Sequence, residues 1–321
     1  QLPNLDRLRR EGDFKPLATT IPPQSPVAWS SVITGLDPGG HGIYDFIHRD
    51  PQTRRPFLSM AETTDSARTL EIGDWVIPLS SAEIIQYRRG QPFWPLLTDA
   101  GVPASIVRMP ANFPPEGEGV RSLSGMGTPD MHGTQGTFTL YTDDPAWEAG
   151  SVSGGEIIRL PVFRHYAELE IEGPVNSFKK DQPTTSVTLT VNRDPSESVV
   201  RFDLEGESFI LKEGEWSDWL HASFPLIGDL QSAAGIFRVY LRQVHPRFEL
   251  YVTPINVDPT NPVLPISTPA SYSAELAEAI GPFYTQGMAE DTAAYRHGAL
   301  SIDEFLQQTH GVLEETRQML R

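Results

Sequence analysis

The chain has 321 residues, about two domains' worth at roughly 150 residues each, with ample length for a buried core. Lys plus Arg number 25 against 42 Asp plus Glu, a net charge of −17, which repels phosphate backbones and anionic membranes and argues against a nucleic-acid polymer as partner. There is no cysteine, which excludes disulfides, thiolate metal ligands and a Cys nucleophile but leaves the compartment open, and no stretch approaches the roughly 18 uncharged apolar residues of a membrane helix.

In chain order, residues 4–12 read as a short helix with Leu5 and Leu8 on one face and Gly12 as its stop. Residues 14–21 have strand character. The proline-stiffened run Pro22-Pro23-Gln24-Ser25-Pro26 leads into a helix over 27–34 ended by Gly35, with Ser25 as N-cap and Pro26 as the first helical residue. A helix over 92–101, closed by Gly101, precedes a short buried strand over 104–109. Helix and strand in alternation suggest the layers of an α/β sheet.

After about residue 150 the pattern changes. Runs at 187–191, 199–204, 209–211, 237–241 and 248–252 have strand character and are separated by turn residues. Helical period returns at 273–280, closed by Gly281, and again from Ser301, where Ser301-Ile302-Asp303-Glu304 is a capping box. The expected organisation is an α/β part over residues 1–150, a β-rich insert over 151–265 and a helical return over 266–321, with the Pro-rich stretch 254–269 as a hinge. Because the chain starts at Gln1 and its last helical pattern runs into Arg321 without a stop signal, both ends are expected to be cuts.

A serine hydroxyl at a helix N-cap sits beside unpaired backbone N–H groups and the positive end of the helix dipole, where an attacking oxygen and a phosphate can both be accommodated. Ser25 is such a hydroxyl. Serine is also among the commonest capping residues, and most capping serines do no chemistry, so the local pattern leaves both roles open. Ionising the hydroxyl requires a positioned histidine or a bound cation.

The run from Pro22-Pro23-Gln24-Ser25-Pro26 through Thr34-Gly35, Pro38 and His41-Gly42-Ile43 resembles the nucleophile segment of the type I phosphodiesterase/nucleotide pyrophosphatase branch of the alkaline phosphatase superfamily. Counting back from Thr34 puts the nucleophile on Ser25. Pro92-Phe93-Trp94, followed by a strand into Met109-Pro110-Ala111-Asn112, resembles the family's Pro-x-Trp helix and the Trp-Pro-Gly turn after it. A bacterial subgroup of alkaline phosphatase family proteins is similar also in Leu2-Pro3-Asn4-Leu5, in 45–51 and in Gly125-Met126-Gly127-Thr128-Pro129-Asp130. The resemblance implies a partial alkaline-phosphatase-like core with a β-rich insert. It implies hydrolysis of phosphate mono- or diesters through a covalent phosphoserine, aided by two divalent metal ions, usually zinc, with Ser25 as nucleophile and metal ligand. By the same resemblance, the remaining metal ligands would precede Gln1 or follow Arg321, so this chain alone is expected to be inactive.

Two further residues are expected at the substrate. Where nucleotide pyrophosphatases carry an Asn three residues after the nucleophile, this chain has Ala28, and Asn112 or the N–H groups after Ser25 are candidate replacements. Asp130, in a Gly-rich setting that reads as a mobile loop, could line the pocket, although its glycines could serve the turns alone. His41, Asp45 and His48 have helical spacing for a metal site, but Gly39, Gly40 and Gly42 argue for a loop, and the family's histidine here orders the turn. Arg49, Arg54 and Arg55 could meet an anion or simply face solvent. Trp216, Trp219, Phe237 and Tyr240 could stack on a sugar, but strand aromatics are more often core. The rival readings are a glycan- or protein-binding module without activity, and a phosphonate hydrolase or phosphotransferase on the same scaffold. A sulfatase is disfavoured because Ser25-Pro26-Val27-Ala28-Trp29 lacks the arginine of that family's motif.

Overall fold

The computed structural model describes residues 2–64, 66, 68–80, 83–228 and 230–321. Both helices and strands are present, with more strand than helix, in mixed sheets compatible with an α/β class. Seven helices run in chain order among the described residues: α1 (Pro3–Glu11), α2 (Ser25–Thr34), α3 (Pro38–His41), α4 (Phe93–Asp99), α5 (Tyr272–Ile280), α6 (Thr292–Arg296) and α7 (Ile302–Met319).

The α/β part is built round a three-stranded sheet. Strand Ser105–Met109 runs parallel to Arg121–Ser124, and Ser267–Thr268 pairs antiparallel on the far side. Against it packs a cluster of Ile33 from α2, Trp94 from α4, Met60, Ile106, Ala111 and Val120. Trp94 is fully buried and its Nε1 donates to the Glu116 carbonyl at 2.8 Å, so its polar edge is satisfied inside the apolar cluster. The punctuation read from sequence holds here: Gly35 ends α2 in the left-handed conformation at φ 71°, which glycine adopts without a Cβ penalty.

The run 14–21 is not a strand. Phe14, Leu17 and Ile21 are 77%, 92% and 90% exposed, and no backbone ladder reaches them among the described residues. Alternation supplies strand propensity, but a strand exists only where another backbone pairs with it. The α1 face carrying Leu5 and Leu8 is likewise exposed, and α1 has no buried residue.

The β-rich region contains two packed sheets. One joins Tyr166–Val175, Thr184–Arg193, Val199–Leu204 and Glu207–Lys212, all antiparallel; the other joins Leu220–Ile227, Gln231–Phe237 and Asn256–Val257. Alternate residues such as Leu189, Val191, Val200, Phe202 and Phe224 face inward and form the largest apolar cluster. The run 237–241 proves to be two strands: Phe237 ends one and Val239–Gln243 begins another in a different sheet, with Arg238 between them. That further sheet, six-stranded, also contains Phe138–Thr142 and Gly155–Arg159, so it straddles residue 150.

In the Pro-rich stretch 254–269, expected as a hinge, residues 254–259 are buried while 260, 261, 263 and 265 are exposed, and Asn256 Oδ1 accepts from the N–H groups of Thr285 and Gln286 at 2.8 and 2.9 Å. This stretch ties sheet to helices. The final helix starts as expected: Ser301 Oγ accepts from the Glu304 N–H while Glu304 reaches back to the Ser301 N–H.

Residues 61–86 contain a ribbon absent from the sequence reading, pairing Ala61–Thr64 with Glu83–Gln86 and Thr69–Ile72 with Trp75–Pro78. Its tip rests on the turn between two insert strands. Trp75 forms a β-bridge with Lys179, whose Nζ lies 3.5 Å above the indole ring, and Lys180 pairs with Glu71 at 2.6 Å. No described helix is long and apolar enough to cross a membrane.

Candidate active site

Ser25 opens α2, but as its first helical residue and not as its cap. Gln24 occupies the N-cap with extended backbone (φ −102°, ψ 141°), and no side chain caps the helix. The first intrahelical bond runs from the Ala28 N–H to the Gln24 carbonyl at 2.9 Å. Pro26 has no N–H to leave unpaired, which suits the first turn. Pro26, Val27, Ser30 and Ile33 point inward, a helical stripe that fixes α2 on the Trp94 cluster and turns Ser25 to the exposed side. The Ser25 hydroxyl is therefore not engaged in capping.

The expected substitutes for the missing Asn contact fare less well. Of the amides after Ser25, Pro26 has none, Val27 belongs to a fully buried residue and Ala28 is bonded within the helix. Only the Ser25 N–H sits at an exposed residue of this first turn. Asn112 is fully buried; its Nδ2 donates to Ser122 Oγ at 3.0 Å, and its Oδ1 has no partner among the described residues. It links the turn after Ser105–Met109 to the neighbouring strand, and no hydrogen bond joins it to Ser25.

Asp130 is buried and engaged on every side. Its Oδ1 accepts from the N–H groups of His132 (3.0 Å) and Thr134 (2.8 Å), and its Oδ2 from Thr134 Oγ1 (2.7 Å) and the Thr137 N–H (2.9 Å). Burial raises its pKa while these bonds oppose the rise. The loop read as mobile is thus organised round a carboxylate.

His41 orders the turn behind α2, as the sequence suggested. Its Nδ1 accepts from the Ile43 N–H at 3.1 Å, which leaves Nε2 protonated and donating to Ser31 Oγ at 3.0 Å. Burial, then the charge of Arg88, lowers its pKa, with Asp37 opposing. His48 instead accepts from the Tyr44 N–H at 3.0 Å, and α3 ends at His41, so the four-and-three spacing never becomes a helical face. Arg88 escaped the sequence reading. Its side chain is buried and pairs with Glu116 at 3.0 Å, a partner 28 positions away that no local pattern signals.

Of the aromatics considered for sugar stacking, Trp219 lies outside the strands, half-buried against Tyr284, and the others pack into the sheets. Phe237 and Tyr240 are buried, and Trp216 packs on Tyr240 and Tyr251. Among the described residues no three His, Asp or Glu side chains converge on a point that could hold a metal ion, and no imidazole or carboxylate hydrogen-bonds Ser25. These residues do not fit a two-ion site.

Ser25 is thus an exposed serine, free of any capping bond, on the first turn of a helix whose other face is buried. Residues 1–149 match the model of the family described as type I phosphodiesterase / nucleotide pyrophosphatase. The match ends before the insert sheets begin. No curated protein and no solved structure matches the chain.

Proposed function

We propose that the chain carries the nucleophile of a phosphate mono- or diester hydrolase, with Ser25 as the attacking group. The observation supporting this most strongly is the exposed, uncapped Ser25 on the first turn of a helix whose other face is anchored, within the segment that matches the family. In the reaction the Ser25 hydroxyl loses its proton to bulk water as Oγ bonds to phosphorus in line with the leaving oxygen, whose bond to phosphorus breaks and which departs with the electron pair. The positive end of α2 and the Ser25 N–H favour the phosphoryl oxygens. Water then hydrolyses the phosphoserine. Activity towards nucleotides is the less favoured version, because Ala28 replaces the Asn and the amides that follow offer no substitute.

Family members generally use divalent metals, but the described residues do not assemble a ligand set, and no side chain here takes the hydroxyl proton. The chain is accordingly expected to be a poor catalyst alone. The test is release of nitrophenolate from bis(4-nitrophenyl) phosphate, with zinc added, in wild type and Ser25→Ala, alongside mass spectrometry of the Ser25 peptide. Slow release in wild type alone, accompanied by a phosphorylated Ser25 peptide, is expected. Equal release in both proteins, or release from wild type without a phosphorylated Ser25 peptide, overturns the assignment.

A further inference from the structure

Helix α7 has two apolar faces, and the fold uses one of them. Val312 and Met319 are buried, and Phe305 packs on the cluster that contains Tyr240 and Tyr251. Ile302, Leu306 and Leu313, with Leu320 at the C-cap, are instead 49%, 54%, 56% and 70% exposed. At about 100° per residue these four project within about 40° of one another, roughly 100° round the helix from the buried face. Leu306, Leu313 and Leu320 recur at every seventh position, the spacing of a seam between two helices. Single exposed aliphatic side chains are ordinary on a protein surface, but an aligned seam along a helix of 18 residues is a surface that another helix fits.

The flanks of the seam say which helix. On one side Phe305, Val312 and Met319 turn into the chain's own body. The other side carries Asp303, His310 and Arg317, all exposed and again seven positions apart. When two copies of α7 lie antiparallel about a two-fold axis, their free flanks fall on the same side of the seam. Asp303 then faces the partner's Arg317, Arg317 faces the partner's Asp303, and Ile302 packs beside the partner's Leu320. A parallel pair would set these charges against the flank that each copy has already buried. Each chain carries −17, so two copies repel except where opposite signs meet, and this flank supplies such a place. Arg317 bonds Glu314 through one nitrogen at 3.0 Å, with the two side chains 60% and 41% exposed; an exposed pair of this kind contributes little and leaves the other N–H donors of Arg317 free. We propose that the chain forms a two-fold dimer through the exposed face of α7, the helices antiparallel, with Asp303 and Arg317 paired across the seam.

One helix pair buries less than the roughly 1,600 Å² of a standard interface, so a weak dimer with Kd on the order of 10 µM is expected. The experiment is sedimentation velocity of the full chain from about 1 to 300 µM, in wild type, Leu306→Glu, Leu313→Glu, Asp303→Arg, Arg317→Asp and the double variant D303R/R317D, with circular dichroism to confirm folding. All four positions are exposed, so the variants do not threaten the fold. A monomer–dimer equilibrium in wild type is expected, weakened tenfold or more by either glutamate and several-fold by either single charge reversal, and restored by the double reversal, which leaves the net charge unchanged. A folded wild type that stays monomeric throughout, a dimer that survives both glutamate variants, or a double reversal that restores nothing overturns the proposal. Ser25→Ala leaves association unchanged, so this inference and the assignment of Ser25 fail separately.

Discussion

Gln24 holds the capping position of α2, and that shift of one residue decides what Ser25 can do. A serine that caps a helix contributes about 1 kcal/mol, whereas Ser25 makes no such bond. Replacement by Ala is therefore expected to change stability by less than about 0.5 kcal/mol. Ser301→Ala, which removes a capping-box bond, is expected to cost about 1 kcal/mol; urea denaturation of both variants checks the contrast. A large loss at Ser25 would reassign it to structure. His41 carries a pH signature of its own. Its folded pKa is lowered by burial first and by Arg88 second, so the unfolded chain takes up a proton at higher pH than the folded one. Stability is therefore lost as pH falls from about 6.5 towards the folded value. Wild type is expected to weaken more than His41→Gln between about pH 7.5 and 5.5 in denaturant titrations, and parallel curves would remove the assignment.

Elements with their own punctuation were readable from the chain. Gly35, Gly101 and Gly281 stop the helices they were expected to stop, and the Ser301 box starts α7, because caps and left-handed glycines act over three or four residues. Elements defined by a distant partner were not readable: residues 14–21 have strand composition without a paired strand, and the ribbon over 61–86 depends on a docking turn a hundred positions later. The candidate site divides the same way. Ser25 was placed within one residue of its observed position, but the burial of Val27 and Asn112, which removes two expected phosphate contacts, follows from packing on Trp94 and on the neighbouring strand. Trp94 is the residue on which this element depends most. Trp94→Ala is expected to cost about 3–5 kcal/mol and to loosen α2, read as loss of amide-exchange protection over 25–34; protection retained there would show that the helix stands without this cluster.

The molecule as a whole is strongly acidic, and several carboxylates have been taken inside it. Asp291 Oδ2 accepts from Tyr251 Oη at 2.6 Å and its Oδ1 from the Ala294 N–H at 2.8 Å. Even so, burial outweighs these bonds and its pKa is raised above the usual carboxylate value. The folded chain therefore holds this proton to higher pH than the unfolded one. Its contribution is most favourable below the unfolded value near 3.8 and is lost as pH rises through the folded value. Asp291→Asn is expected to flatten the dependence of the thermal midpoint on pH in that window, and an unchanged slope would assign the effect to other acids. The ribbon, finally, is a bridge: its tip is seated at Trp75 and Lys179, while the chain leaving its base reaches Gly90, packed against Thr34 and Leu36 at the rear of α2, so the β-rich region and the helix that opens with Ser25 are tied together by residues far apart in the sequence.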